Sequence, residues 1–169
     1  MDREEKISEW FHLYSDDVYH FLLYRMGTTE VEDLVQEVFI KAIKGIDYFN
    51  GNSSPKTWLF TIARNVAVDE MRKRKWKKWT SFDSIQEPSD TNTPETIWSK
   101  NESQNEIYQA IISLKPTYRD VVILRGIKDL SVSETASVLK WNENKVRITY
   151  HRAKILLRKE LGGREDEAY

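Results

Sequence analysis

The stretch from Thr29 to Trp79, TEVEDLVQEVFIKAIKGIDYFNGNSSPKTWLFTIARNVAVDEMRKRKWKKW, decides how the rest of the chain is read. Apolar residues recur at Val31, Leu34, Val35, Val38, Phe39, Ala42, Ile43 and Ile46, a three-then-four spacing that lines one helix face. Thr29 with Glu32 fits a capping box that would start this helix. Asp33, Glu37 and Lys41, four residues apart, fall on the opposite face. The loop Asp47 to Pro55 is rich in turn formers, and Pro55 behind Ser54 reads as the first helical residue after an N-cap. The helix that follows is expected to bury Leu59, Ile62, Ala63, Val66, Ala67 and Met71. Its other side would show Lys56, Arg64, Asn65, Val68 and Arg72. From Arg64 to Thr80 there are seven bases against Asp69 and Glu70. Such a helix end is an electrostatic footprint for phosphate, and Trp76 and Trp79 could stack on unpaired bases. A solvated basic helix end is the other reading.

Working outward, the charge is unevenly spread. The formal net charge of −1 hides it. Residues 1–63 carry six bases and eleven acids, residues 81–106 six acids and one base, and residues 107–161 eleven bases and five acids. Two basic blocks alternate with acidic ones, and the local pattern bears on partners more than the overall balance does.

The 169 residues allow one large domain or two small ones, and six Trp, eight Tyr and six Phe can fill real cores. The absence of Cys excludes a disulfide framework and thiol chemistry. No apolar run approaches the roughly 18–20 residues of a membrane span, and the polar start Met1-Asp-Arg-Glu-Glu-Lys precedes no signal-like apolar segment. The expectation is a cytoplasmic chain without membrane insertion.

Residues 2–26 have the helical spacing Ile7, Trp10, Phe11, Tyr14, Val18, Phe21, Leu22 and Met26, stopped by Gly27. His12 and His20 lack partners at metal-ligand spacing, and no metal or other cofactor is expected. Residues 80–106 change abruptly to Ser, Thr, Asn, Pro and acids. They read as a flexible linker, with Ile97 and Trp98 as a docking spot and a short helix within Pro94–Asn105. Beyond it, Ile107, Ala110, Ile111 and Leu114 make one helix face. Pro116 opens the next helix, with Tyr118, Val121, Val122 and Leu124 inward, and Gly126 to Leu130 reads as a loop. Ser131 and Glu134 form a capping box for a helix burying Val132, Ala136 and Leu139. Asn142 caps a last helix that buries Val146, Tyr150, Ala153, Leu157 and Leu161.

Helix, three-residue turn, helix is the helix-turn-helix pattern. Its second helix would expose Asn144, Lys145, Arg147, Ile148, His151, Arg152 and Lys154, and a major groove admits one such helix. A compact bundle with a basic outer face is the bland alternative. The fold class expected is all-α: a helical bundle over 1–79, an acidic linker over 80–106, a helix-turn-helix domain over 107–161 and a polar tail over 162–169.

Four segments together carry a resemblance: DLVQEVFIKA (33–42), TWLFTIARNVAVDEMRKRK (57–75), LKPTYRDVVILRG (114–126), and LSVSETASVL with KVRITYHRAKILLRK (130–139, 145–159). In order and spacing they resemble bacterial sigma factors, the extracytoplasmic-function (ECF) group of the sigma-70 superfamily. That resemblance implies a partner, core RNA polymerase, gripped through Asp33, Gln36 and Glu37. It implies a second, promoter DNA, duplex at the −35 element and single-stranded at the −10 element. For the −10 element it points to the loop Phe49–Lys56, with Phe49, Asn50, Asn52, Ser53 and Lys56, and to the helix bearing Asn65. Arg72, Arg74, Lys75 and Trp76 continue that helix. A flipped base would enter under the loop, at a cost of a few kcal/mol that contacts must offset. The −35 reader would be residues 143–159, with Arg147, Ile148, His151 and Arg152 facing bases. The linker would thread the polymerase channels, and a membrane-anchored anti-sigma factor would complete the partners.

Four positions depart from the family pattern. Asn50 and Pro55 replace a basic and an aromatic residue. Lys140 stands where a turn glycine is usual, so that the turn differs slightly or is strained. Ile148 replaces a small polar residue and could touch a thymine methyl. The alternating charges also predict that the acidic domain and linker mask the basic blocks until the domains separate. Two rival functions are a stand-alone helix-turn-helix regulator, dimeric on a palindrome, and an enzyme acting on nucleic acid. The second has no support: no paired carboxylates with a base, nucleophile motif or phosphate-binding glycine loop stands in the sequence, so no catalytic residue is assigned.

Overall fold

The computed structural model describes residues 2–80 and 102–166, and every regular element among them is helical. The helices are α1 (Arg3–Met26), α2 (Glu32–Gly45), α3 (Pro55–Thr80), α4 (Glu102–Ile112), α5 (Pro116–Val122), α6 (Val132–Leu139) and α7 (Glu143–Asp166). The docking spot and short helix expected within the linker lie outside the described residues.

Local chemistry explains most boundaries. Asp2 and Glu5 form a capping box at the start of α1, and Gly27 ends it in the left-handed conformation, φ 68°. Ser54 Oγ accepts the Thr57 amide at 3.1 Å, so α3 starts behind a side-chain cap with Pro55 in its first turn. Ser131 and Glu134 form their box on α6, and Asn142 Oδ1 accepts the Lys145 amide at 2.7 Å on α7.

Other boundaries differ from expectation. Thr29 and Glu32 make no capping box. Val31, fully buried, is the N-cap of α2 and offers no side-chain acceptor, so Glu32 becomes the first helical residue instead of the third. Residues Gly126 and Ile127 are not loop: α5 runs on as a π turn over Ile123–Ile127, closed by Lys128 N–H to the Ile123 carbonyl at 2.9 Å. A Cβ at Gly126 would stand 3.3 Å from the Tyr150 hydroxyl, a tight contact that glycine avoids. The linker is shorter than 80–106, since Thr80 closes α3 and α4 begins at Glu102, and the polar tail is helical through Asp166.

Packing follows the apolar stripes, with instructive misses. Ile43 and Phe11 were expected inside but are 46% and 44% exposed. They lie at the open end of the α1–α2 seam, where with Ile7 and Phe39 they line a groove of about 640 Å³. Ile62 and Met71 are half-buried, while Phe60 and Thr57 are buried. On α4, Tyr108 turns inward instead of Ile107, its hydroxyl donating to the Leu23 carbonyl at 3.5 Å. Burial pushes its phenol up to about 12.

The two halves do not stand apart as separate cores. Buried residues of both form one contiguous apolar cluster. The join is polar at its centre: Arg25 of α1 donates to Asp120 of α5 at 2.5 Å, both side chains almost fully buried. Arg64 of α3 approaches the same carboxylate at 3.8 Å. Arg119 donates to the Arg25 carbonyl at 2.8 Å and to the Ile112 and Leu114 carbonyls. Burial pushes the Asp120 carboxyl up, and the charges of Arg25, Arg64 and Arg119 pull against it. Lys128 reaches Asp17 at 3.0 Å.

A second join ties the starts of α3 and α6, where the Thr57 hydroxyl donates to Glu134 at 3.0 Å. The Ser131 amide holds the Glu134 carboxyl below its ordinary 4.5. A depressed carboxyl stabilises the fold above 4.5, and that contribution is lost as pH falls through the lower folded value. Urea midpoints of the wild type and Glu134→Gln should therefore differ at pH 6 and converge toward pH 3. A gap that stays constant would contradict this.

Candidate nucleic-acid interface

The helix-turn-helix is built as its caps require. Lys140 ends α6 at φ 57° and ψ 41°, the left-handed conformation that a glycine would adopt freely. A lysine there costs something like 1–2 kcal/mol, so the turn is strained. Val146 and Ala153 anchor α7 in the core while Tyr150 and Leu157 pack half-buried against it.

The outer face of α7 is thereby fixed. At about 100° per residue, Asn144, Ile148 and His151 share one ridge, and all three are exposed. Arg147 and Lys154 flank the ridge on one side, Lys145 and Arg152 on the other. Arg147 is held by Glu143 at 3.4 Å, Lys145 Nζ lies 4.3 Å from the Trp141 ring centroid and Lys154 Nζ 4.7 Å from that of Tyr150. An exposed ridge bordered by Arg and Lys side chains has the shape and charge of a helix that a major groove admits.

The loop before α3 is organised by its aromatic residue. Phe49, expected to touch DNA, packs edge-on against Trp10 at 5.2 Å and tilted on Trp58 at 5.3 Å, so the structure uses it to anchor the loop. Asn50 Oδ1 accepts the Asn52 amide at 3.0 Å around Gly51, whose φ is 76°. Asn50 and Asn52 face solvent, Ser53 is half-buried, and Lys56 lies 3.9 Å from Asp17. Along α3, Asn65, Arg72, Lys75 and Trp76 are exposed on or beside one stripe. Arg74 is on the far side, paired with Glu70 at 3.3 Å.

Charge masking takes a different form from the one the sequence suggests. Arg64 is drawn onto Asp120, yet Asn144, Arg147, Ile148, His151 and Arg152 stay exposed. Among the described residues, the acidic half does not cover the outer face of α7.

On α2, Asp33 and Gln36 are exposed and Glu37 bonds Lys41 at 3.7 Å. The same face adds Ile40, half exposed, which sequence reasoning missed although its seven-residue spacing from Asp33 places it there. Among the described residues no group of three His, Asp or Glu could hold a metal ion, and no helix is long and apolar enough to cross a membrane.

Comparison with known proteins agrees with this arrangement. The family model Sigma-70 region 2 matches residues 10–77, and Sigma-70, region 4 matches residues 104–157. The ECF RNA polymerase sigma factor SigX of Bacillus subtilis is 37% identical over 164 residues, covering 94% of this chain and 84% of that protein. SigW of the same organism is 33% identical over 171 residues, covering 94% and 90%. Two solved structures share the fold. RpoE in complex with the anti-sigma factor NepR from Bartonella quintana has a TM-score of 0.76 at 24% identity, covering 94% of this chain and 98% of that one. CnrH in complex with the cytosolic domain of CnrY has a TM-score of 0.70 at 20% identity, covering 95% and 90%. The chain belongs to the ECF RNA polymerase sigma factors, the family that directs promoter-specific transcription initiation.

Proposed function

We propose that the chain initiates transcription by a division of labour between its two helical units. The exposed face of α2, Asp33, Gln36, Glu37 and Ile40, docks on core RNA polymerase. The loop Asn50–Lys56 and the outer stripe of α3 take the opened −10 strand. The ridge of α7 reads the −35 duplex. The observation that carries this is the coexistence of both surfaces in one chain: a capped basic helix behind a polar loop, and a helix-turn-helix with an exposed ridge bordered by bases. A stand-alone regulator needs only the second.

The packed form is a resting form. The names of the elements put them about 25 base pairs apart, roughly 85 Å of B-DNA at ~3.4 Å per step. A compact chain of this length has a radius of gyration near ~15 Å, so both cannot be read until the halves part. Polymerase would supply the opening. By analogy with RpoE held by the anti-sigma factor NepR, a further protein would stabilise the resting form, and we place that partner at the membrane and the chain in the cytoplasm.

Docking through α2 is tested with the double charge reversal Asp33→Lys/Glu37→Lys. It leaves the core untouched and should abolish co-elution with purified core polymerase on size exclusion, while melting stays near the wild type. Undiminished co-elution would move the docking face elsewhere.

A further inference from the structure

Met71 is the last residue of α3 packed against the core, and residues 72–80 are exposed apart from the half-buried Arg74. On a helix, Asn65, Arg72, Trp76 and Trp79, spaced seven, four and three, fall on a single stripe. The stripe runs about 21 Å at ~1.5 Å per residue. Trp76 is 64% and Trp79 75% exposed, with ring centroids 6.1 Å apart and planes 31° from parallel. Hollows flank Trp76 on both sides. Arg72, Lys75 and Trp79 complete one, and Arg72, Lys73 and Lys77 complete the other. Packing does not call for two large indoles here, and contiguous exposed apolar surface marks a binding site.

We propose that Trp76 and Trp79 form an accessory stacking platform for bases of single-stranded DNA, continuing the track of the opened strand past Asn65. Aromatic faces accept any base, and the bordering cations meet the phosphates between them. A membrane surface is the other ligand with a taste for Trp and Lys, but an interfacial helix segregates its apolar and charged faces. Here Arg72 stands on the same stripe one turn before Trp76, and Lys73, Lys75 and Lys77 line the hollows beside the indoles, so charge and apolar surface are mixed. The proposal rests on the reading that α3 lies along the −10 strand and extends it to residues beyond the loop.

The test uses the full-length chain and a fluorescein-labelled 20-nucleotide oligo(dT), with a duplex of equal length alongside. Trp76→Ala/Trp79→Ala should weaken oligo(dT) binding about tenfold or more, with far less loss on the duplex. Trp76→Phe/Trp79→Phe should recover most of it. Unchanged oligo(dT) binding would overturn the platform, as would an equal loss on both DNAs, which would make the site a phosphate patch. So would a loss confined to anionic phosphatidylglycerol vesicles, which would make it a membrane contact. Run-off transcription with core polymerase keeps the two readings apart. Transcripts from a chain whose oligo(dT) affinity ignores the tryptophans would sink the platform alone. Tryptophan-dependent binding by a chain that yields no transcripts would support the platform and contradict its place in initiation.

Discussion

Asp120→Ala is expected to destabilise the chain by about 3–5 kcal/mol, because it strands a buried charge. For a chain of this size that is a fall in melting temperature of roughly 6–20 °C. Asp120 is enclosed by Arg25 at 2.5 Å and Arg64 at 3.8 Å, and Arg25 is itself almost fully buried. A buried pair gains little over an apolar one, since desolvation opposes the attraction; what is costly is removing one partner. Arg25→Met/Asp120→Leu should therefore cost far less than Asp120→Ala. The same contact joins α1 to α5, so the single variant should also loosen the two halves, read as a larger radius of gyration in solution scattering. A loss below about 1 kcal/mol would mean that water reaches Arg25 and that the halves are only loosely docked.

Arg147→Ala should cost roughly 1–3 kcal/mol at the cognate −35 sequence and little on random DNA. That is about fivefold to 150-fold in affinity. In the free chain Arg147 sits on Glu143 at 3.4 Å, with its side chain more than half exposed. Such an exposed pair is worth at most about 1 kcal/mol, so the guanidinium is cheaply released to a guanine edge, where a bidentate contact discriminates. Anisotropy with the chain bound to core polymerase, on a −35 duplex selected from a randomised pool and on its scrambled counterpart, measures the difference. Equal losses on both would assign Arg147 to a phosphate.

Helices α3, α6 and α7 were legible because their signals are local. The caps at Ser54, Ser131 and Asn142 and the stripe Val146, Tyr150, Ala153 and Leu157 fix α3, α6 and α7 within a few residues of chain. The ridge on α7 is what remains once that stripe is turned inward. The join between the halves was not legible, because Arg25 and Asp120 are 95 positions apart and each reads as surface by its charge. Tyr108 displaced Ile107 for a related reason: its hydroxyl finds the Leu23 carbonyl, a partner that hydropathy does not weigh. Phe49 reads as a DNA-facing loop aromatic, and only the meeting of α1 and α3 through Trp10 and Trp58 makes it an anchor. At Thr29 the cap pattern was present, but burial of Val31 set the start of α2 further on. Local periodicity carries helix faces; contacts distant in sequence carry the packing of the two halves.

The most direct measurement is run-off transcription by purified core polymerase from a library of genomic fragments, with and without the full-length chain, with start sites mapped. The account predicts transcripts that depend on the chain and begin downstream of two shared motifs at a fixed spacing. It is contradicted if core polymerase ignores the chain, or if the chain alone occupies a palindromic duplex as a dimer with no transcript in its presence.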